Sequence, residues 1–197
     1  MAGAAKRRLA AEIGASEATR FARAAATALV GRLGSDARWQ TILAVSPDRF
    51  ARSPIWPAKI ASYAQGAGDL GQRMQRLFQA HAPGPLVIIG TDIPAIRASH
   101  IARAFRLLGS WDAVFGPAID GGYWLVGLRR RPRLLQPFQR VRWSSPYALE
   151  DTLANLSGQR IGFLATLADV DGAEDYRRSA EHLGRRLLPR ASRRDPD

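Results

Sequence analysis

The chain has 197 residues, long enough for one domain with a sizeable core, and its lack of cysteine excludes disulfides, zinc-thiolate sites and thiol catalysis and fits a reducing cytoplasm. Neither a membrane-length apolar run nor a signal-peptide core is present, so membrane insertion is not expected. The formal net charge of +12 is almost all arginine, spread along the chain without an aromatic-interleaved stripe; it reads as solvated surface, with no nucleic-acid partner expected.

In chain order, an alanine-rich helix is expected over 16–33, with Ser16 as its N-cap and an apolar face on Ala18, Phe21, Ala25, Ala28 and Leu29. A strand-like run covers 41–45, and the prolines at 54 and 57 mark a loop. Residues 60–65 make a poor buried strand. A helix follows over 70–80, a strand over 86–90, a helix over 96–108 and strands over 113–117 and 123–128. Asp120-Gly-Gly between the last two suits a hairpin, so one antiparallel strand is expected. A helix over 147–156, a strand over 161–167 and a helix over 173–188 complete the pattern. Alternation of this kind predicts a three-layer α/β/α domain over 1–188 around a mainly parallel, mixed sheet, with 189–197 a basic, frayed tail.

The run Leu86-Val-Ile-Ile-Gly-Thr-Asp-Ile-Pro94 is the most informative. A short, wholly apolar segment suits a strand buried on both faces, and it stops abruptly with Asp92 at its carboxyl end. Ligands of open α/β sheets bind along that edge, where a carboxylate commonly meets Mg²⁺ or Mn²⁺. The competing reading makes Asp92 a turn residue that caps the helix beginning near Ile96. His81, His100 and His182 lie too far apart for ligand spacing, so any metal would be held by carboxylates.

Gly66-Ala-Gly-Asp-Leu-Gly71 matches a dinucleotide fingerprint, but the buried strand that should precede it is not evident. Asp169-Val-Asp171 places two carboxylates on one side of an extended backbone, or caps the helix after it. At the N-terminus, small residues leading into Lys6-Arg-Arg8 suit phosphate, or simply a basic disordered end.

In order, Gly3…Lys6-Arg-Arg-Leu, Gln65-Gly-Ala-Gly-Asp-Leu-Gly-Gln-Arg-Met74, Gly90-Thr-Asp-Ile-Pro94, Asp120-Gly-Gly-Tyr123 and Asp169-Val-Asp171 resemble a bacterial glycosyltransferase-like family long catalogued as a domain of unknown function. That family has the nucleotide-diphospho-sugar transferase (GT-A type) fold. It is distantly similar to phospholactate and molybdenum-cofactor guanylyltransferases. The resemblance implies Asp92 and Asp171 as metal ligands for Mg²⁺ or Mn²⁺ and Asp92 and Asp120 as catalytic acids. It implies Gly3, Lys6 and Arg8 around phosphate, and Gln65, Leu70 and Gly71 around the nucleobase. Gly121, Gly122 and Tyr123 would face the sugar or acceptor, with Trp143-Ser-Ser on the acceptor side.

In this fold the phosphate loop follows a first buried strand that has no counterpart here, and Arg7 stands where a small hydroxyl residue is common. The expectation is an upstream start or a truncated form. The expected activity is metal-dependent transfer from a nucleotide-linked donor (a nucleotide sugar or nucleoside triphosphate), glycosyl transfer ahead of nucleotidyl transfer. A non-catalytic nucleotide-binding module is the alternative, and a dinucleotide oxidoreductase comes third.

Overall fold

The computed structural model describes residues 10–168. Helix α1 (Ala15–Leu33) buries Ala18, Phe21, Ala25, Ala26, Leu29, Val30 and Leu33, a wider stripe than expected, while Ala28 is half-buried. Ser16 is not the cap. The Gly14 amide closes a preceding turn on the Ala10 carbonyl, so Gly14 stands at the N-cap and Ser16 already lies inside the first turn.

Strand β1 (Ile42–Val45) pairs in parallel with β2 (Ala61–Ala64), in the register Ile42↔Ala61 to Val45↔Ala64. Residues 60–65 therefore do hold a strand. Its side chains are mostly exposed, which erased the apolar signal; the backbone ladder to β1 supplies the order instead. Helix α2 (Leu70–Ala80) has the expected bounds, and Asp69 caps it by accepting from the Gln72 amide at 2.8 Å.

Strand β3 (Leu86–Ile89), helix α3 (Ala98–Leu108), strands β4 (Ala113–Pro117) and β5 (Tyr123–Leu128), helix α4 (Ala148–Ala154) and strand β6 (Ile161–Phe163) follow. A four-stranded sheet has the order β3-β5-β4-β6, with β5 antiparallel to both neighbours and β4 parallel to β6. The expected hairpin joins β4 to β5. Past β6 the chain keeps beside β4: the Leu164 and Leu167 amides donate to Phe115 and Pro117. Among the described residues the strands form two sheets instead of one, because the outer edges of β1 and β3 have no ladder partner. β3 is consequently half-buried at all four positions, not enclosed on both faces.

The four-stranded sheet is covered on both sides. On one face Leu29 and Leu33 of α1 and Ile101, Ala104 and Leu108 of α3 pack on Val114 and Leu125. On the other, Met74 and Phe78 of α2, with Leu149 and Leu153 of α4 beside them, meet Ala113, Phe115, Val126 and Leu128. These apolar layers hold the frame that presents the strand ends. One bulge interrupts the hairpin: Gly116 opposes Leu125 and Pro117 opposes Tyr123, leaving Trp124 as the extra residue, packed over Gly116. Among the described residues no helix is long and apolar enough to cross a membrane.

The helix expected over 173–188 and the tail over 189–197 lie outside the described residues, as do Gly3, Lys6, Arg8, Asp169 and Asp171.

Candidate functional site

An aspartate stands just past the carboxyl end of each of the first four strands: Asp48 after β1, Asp69 after β2, Asp92 after β3 and Asp120 after β4. Three of them serve local structure. Asp48 accepts from the Gly66 amide at 3.1 Å, Asp69 caps α2, and Asp120 accepts from the Gly122 amide at 2.9 Å to close the hairpin tip. Asp92 differs: among the described residues its carboxylate has no hydrogen bond or ion pair, and it is only half-buried.

The turn that carries Asp92 is rigidly seated. Ile93 and Ile96 are buried, and Arg32 from the last turn of α1 donates to the carbonyls of Pro94 at 2.8 Å and Ile96 at 2.5 Å. Gly90 allows the carboxylate to fold back over the strand end, and its own amide donates to the Trp124 carbonyl, tying the turn to β5. Asp92 does not cap the next helix. The amide of Arg97 instead donates to Nδ1 of His100 at 3.2 Å, and burial, with Arg97 nearby, lowers the His100 pKa, favouring the neutral ring that can accept.

The segment 65–71 is held from beneath. Gln65 spends its amide internally, donating to the Ala44 carbonyl at 2.8 Å and accepting from Arg73 at 3.1 Å. Arg76 donates to the carbonyls of Gln65 and Ala67. Gly66 and Gly68 have φ of 76° and 103°, where other residues are strained. Although a strand does precede this loop, the start of α2 is poorly suited to a pyrophosphate: the Asp69 carboxylate already occupies it. Leu70 is exposed and Gly71 is buried, a Cβ there meeting Trp143 and Phe138 at 2.8 and 2.9 Å. Gly71 also lines a crevice of about 410 Å³ with Gln75, Phe138 and Arg140, and the buried Oε1 of Gln75 has no partner among the described residues.

At the hairpin tip, Gly121 has φ 85° and sits under Pro146, and its carbonyl accepts from the Leu149 amide at 3.1 Å. Residues 143–147 thus cover both Gly71 and Gly121, joining the expected base side to the expected acceptor side. Tyr123 stands edge-on to Phe115 and Trp143, at 5.3 and 6.4 Å, with its hydroxyl 3.4 Å from Thr152. Burial raises its pKa, so the phenol stays neutral. Arg142 forks onto Asp151 through two contacts of 2.9 and 2.7 Å and lies 4.0 Å over the half-exposed ring of Tyr147.

Sequence reasoning missed Arg32, Arg76 and the Arg142–Asp151–Tyr147 group. Each acts across a separation or a loop that no local pattern marks. Among the described residues, no three acidic or histidine side chains cluster as a ready-made metal site. The described chain reaches Ala168 alongside β4's end, where Leu167 bridges Ala118.

No curated protein matches this chain. A solved structure from Desulfovibrio desulfuricans G20, described as a "putative nucleotide-diphospho-sugar transferase", superposes with a TM-score of 0.77 at 25% identity, covering 98% of this chain and 87% of its own. The mixed α/β architecture of this chain thus matches that fold. Residues 29–145, which include Gln65 to Gly71, Asp92 and Asp120 to Tyr123, match the family model described as "Uncharacterized protein conserved in bacteria (DUF2064)", and the chain belongs to that family.

Proposed function

We propose that the protein is a metal-dependent transferase that uses a nucleotide-linked donor, with glycosyl transfer from a nucleotide sugar as its reaction. The observation that carries the reading is Asp92: a rigidly seated, half-buried carboxylate at a strand's carboxyl end, with no partner among the described residues. Its fold neighbour's description supports the donor class. A hard divalent cation fits such a ligand, and Asp92 with Asp171 would hold Mg²⁺ or Mn²⁺. When bound, the cation neutralises diphosphate charge as the leaving group departs.

In this reading Lys6 and Arg8, with the backbone at Gly3, bind the diphosphate, and Leu70 and Gly71 border the base, with Gln65 as the brace of that segment. Gly121, Gly122 and Tyr123 shape the acceptor side. Asp120, whose Oδ1 is bound to the Gly122 amide, takes the acceptor's proton on its other oxygen. The acceptor oxygen bonds to the anomeric carbon as the bond from that carbon to the diphosphate oxygen breaks. The electron pair leaves with the nucleoside diphosphate. Nucleotidyl transfer would use the same contacts and break a bond to phosphorus instead, and a cytoplasmic setting suits either donor.

A thermal-shift screen of nucleotide sugars and nucleoside triphosphates, each with Mn²⁺ or chelator, tests the proposal on the native chain and on Asp92→Ala. A metal-requiring shift with one donor, lost in the variant, is the expected result. Turnover of the shifting donor then separates an enzyme from a binding module. Cooperative melting with no shift for any donor would overturn it.

A further inference from the structure

We propose that the amino-terminal edge of the sheets is a docking surface for anionic phospholipid membrane, an inference independent of the transferase reading. Among the described residues arginines stand at both ends of the strands, Arg49, Arg52, Arg73, Arg76 and Arg97 near the carboxyl ends. There Asp48, Asp69, Asp92 and Asp120 offset them, so the amino-terminal edge carries the larger excess of positive charge. Arg38, Lys59 and Arg160 stand just before β1, β2 and β6. Arg129, Arg131 and Arg133 follow β5, whose antiparallel run returns the chain to the amino ends of β3 and β4. Arg106 is in the last turn of α3, which leads to the same end of β4.

Contacts link these positions into a row. Ile60, next to Lys59, packs against Gly34 at the end of α1. Arg38 and Arg106 line one crevice of about 560 Å³ together with Trp39, Ser99, Ala102 and Phe105. From there the Trp111 amide donates to Leu107 at 2.8 Å, Asp112 donates to the Arg160 carbonyl at 2.9 Å, and Arg129 donates to the Asp112 carbonyl at 3.0 Å. Among the described residues the acids within the row are Asp36, forked by Arg38, and Asp112, bound by Arg160. Arg106, Arg131 and Arg133 are exposed and have no hydrogen bond or ion pair from their side chains among the described residues. The free aspartate and the other three strand-end aspartates lie at the opposite ends of the strands.

Several polyanions would answer this charge, and two features favour a lipid surface. Trp111 is 38% exposed within the row, and an indole beside cations suits the boundary between headgroups and acyl chains. The crevice sets apolar side chains beside Arg106, which has no partner among the described residues, and beside Arg38, already forked onto Asp36, an arrangement that suits a lipid phosphate with chain attached. Clustered basic residues add up on an anionic bilayer. Docked this way, the protein would keep the strand ends bearing Asp92 turned to solvent.

The test is co-sedimentation of the full chain with phosphatidylcholine vesicles, with and without phosphatidylglycerol, beside a variant carrying Arg106→Glu, Arg131→Glu and Arg133→Glu. Pelleting only with phosphatidylglycerol vesicles is expected, weakened by salt and about 10-fold lower in the variant. The corresponding three Arg→Lys changes should preserve it. No pelleting, equal pelleting with neutral vesicles, or full retention in the charge-reversed variant would overturn the proposal. So would tight binding of single-stranded RNA by a chain that ignores the vesicles.

Discussion

Asp92 folds back over Gly90, so that Oδ1 lies 2.7 Å from the point where a Cβ on residue 90 would sit. The glycine is therefore part of the carboxylate's placement. Gly90→Ala should leave the strand intact, since β3 ends at Ile89, and push the Asp92 side chain out of place. Mn²⁺-dependent donor binding should weaken about 10-fold or more, as when a ligand loses its supporting shell, with a melting temperature close to the parent's. Titration calorimetry of both chains gives the answer; unchanged affinity would count against Asp92 as the metal ligand.

Gly71→Ala pits two effects of opposite sign. Alanine favours a helix by about 1 kcal/mol over glycine. Here its methyl would meet Trp143 Cζ2 at 2.8 Å and both Cβ and the carbonyl oxygen of Phe138 at 2.9 Å, and overpacking costs about 1–3 kcal/mol. Clash should win, lowering stability in urea and shifting the Trp143 emission. A stabilised variant would show that residues 138–143 can yield.

These two glycines also show what could be read before the fold was known. Apolar runs and turn residues gave β3, β4, β5 and α2 nearly to the residue, because each signals itself within a few positions. Gly71 could be read as a fingerprint glycine or, through the resemblance, as a neighbour of the nucleobase; that it is a packing glycine depends on Trp143, 72 positions along. β2 escaped because its order comes from pairing with β1, not from burial. Asp92 stood out in sequence, yet its seat did not: Arg32 reaches it from a separate helix. The N-terminal motif and Asp169-Val-Asp171 fall outside the described residues.

Arg130 anchors the end of α2. With φ 60°, it turns its guanidinium inward to the carbonyls of Phe78, His81, Ala82 and Gly84, at 2.5–2.9 Å. The carbonyls of Phe78 and His81 are orphan acceptors at the helix end, and those of Ala82 and Gly84 belong to the turn that follows it. Arg130→Ala should cost about 1.5–3 kcal/mol in urea unfolding, and amide exchange in the last turn of α2 should quicken. Arg130→Lys should recover part of this, as an ammonium cannot span the same fork. Parent-like exchange in the alanine variant would contradict the role.

Acid should expose the Arg142–Asp151 pair. Hydrogen bonding from Arg142 holds the Asp151 carboxyl at about 2, against an ordinary 3.8. A depressed folded-state pKa contributes stability above the unfolded value, and that contribution fades as pH falls from 3.8 toward 2. Melting curves of the parent and Asp151→Asn should therefore differ most above pH 3.8 and converge near pH 2. A gap that stays constant through that window would mean the pair is not what separates them.

The bulge at Trp124 makes the β4–β5 hairpin one residue longer on one side than its ladder requires. Tyr123 faces the α2–α4 layer and Leu125 the α1–α3 layer, alternating as though nothing stood between them, while Trp124 joins the α1–α3 layer as well. The hairpin has thus accommodated an insertion without turning any neighbour over. The inserted indole reaches past Gly116 to donate to the Ala165 carbonyl at 3.2 Å, on the segment that runs on toward Asp169-Val-Asp171. Deleting this one residue would leave an unbroken ladder and cut a latch, separating what builds the sheet from what fastens the next segment to it.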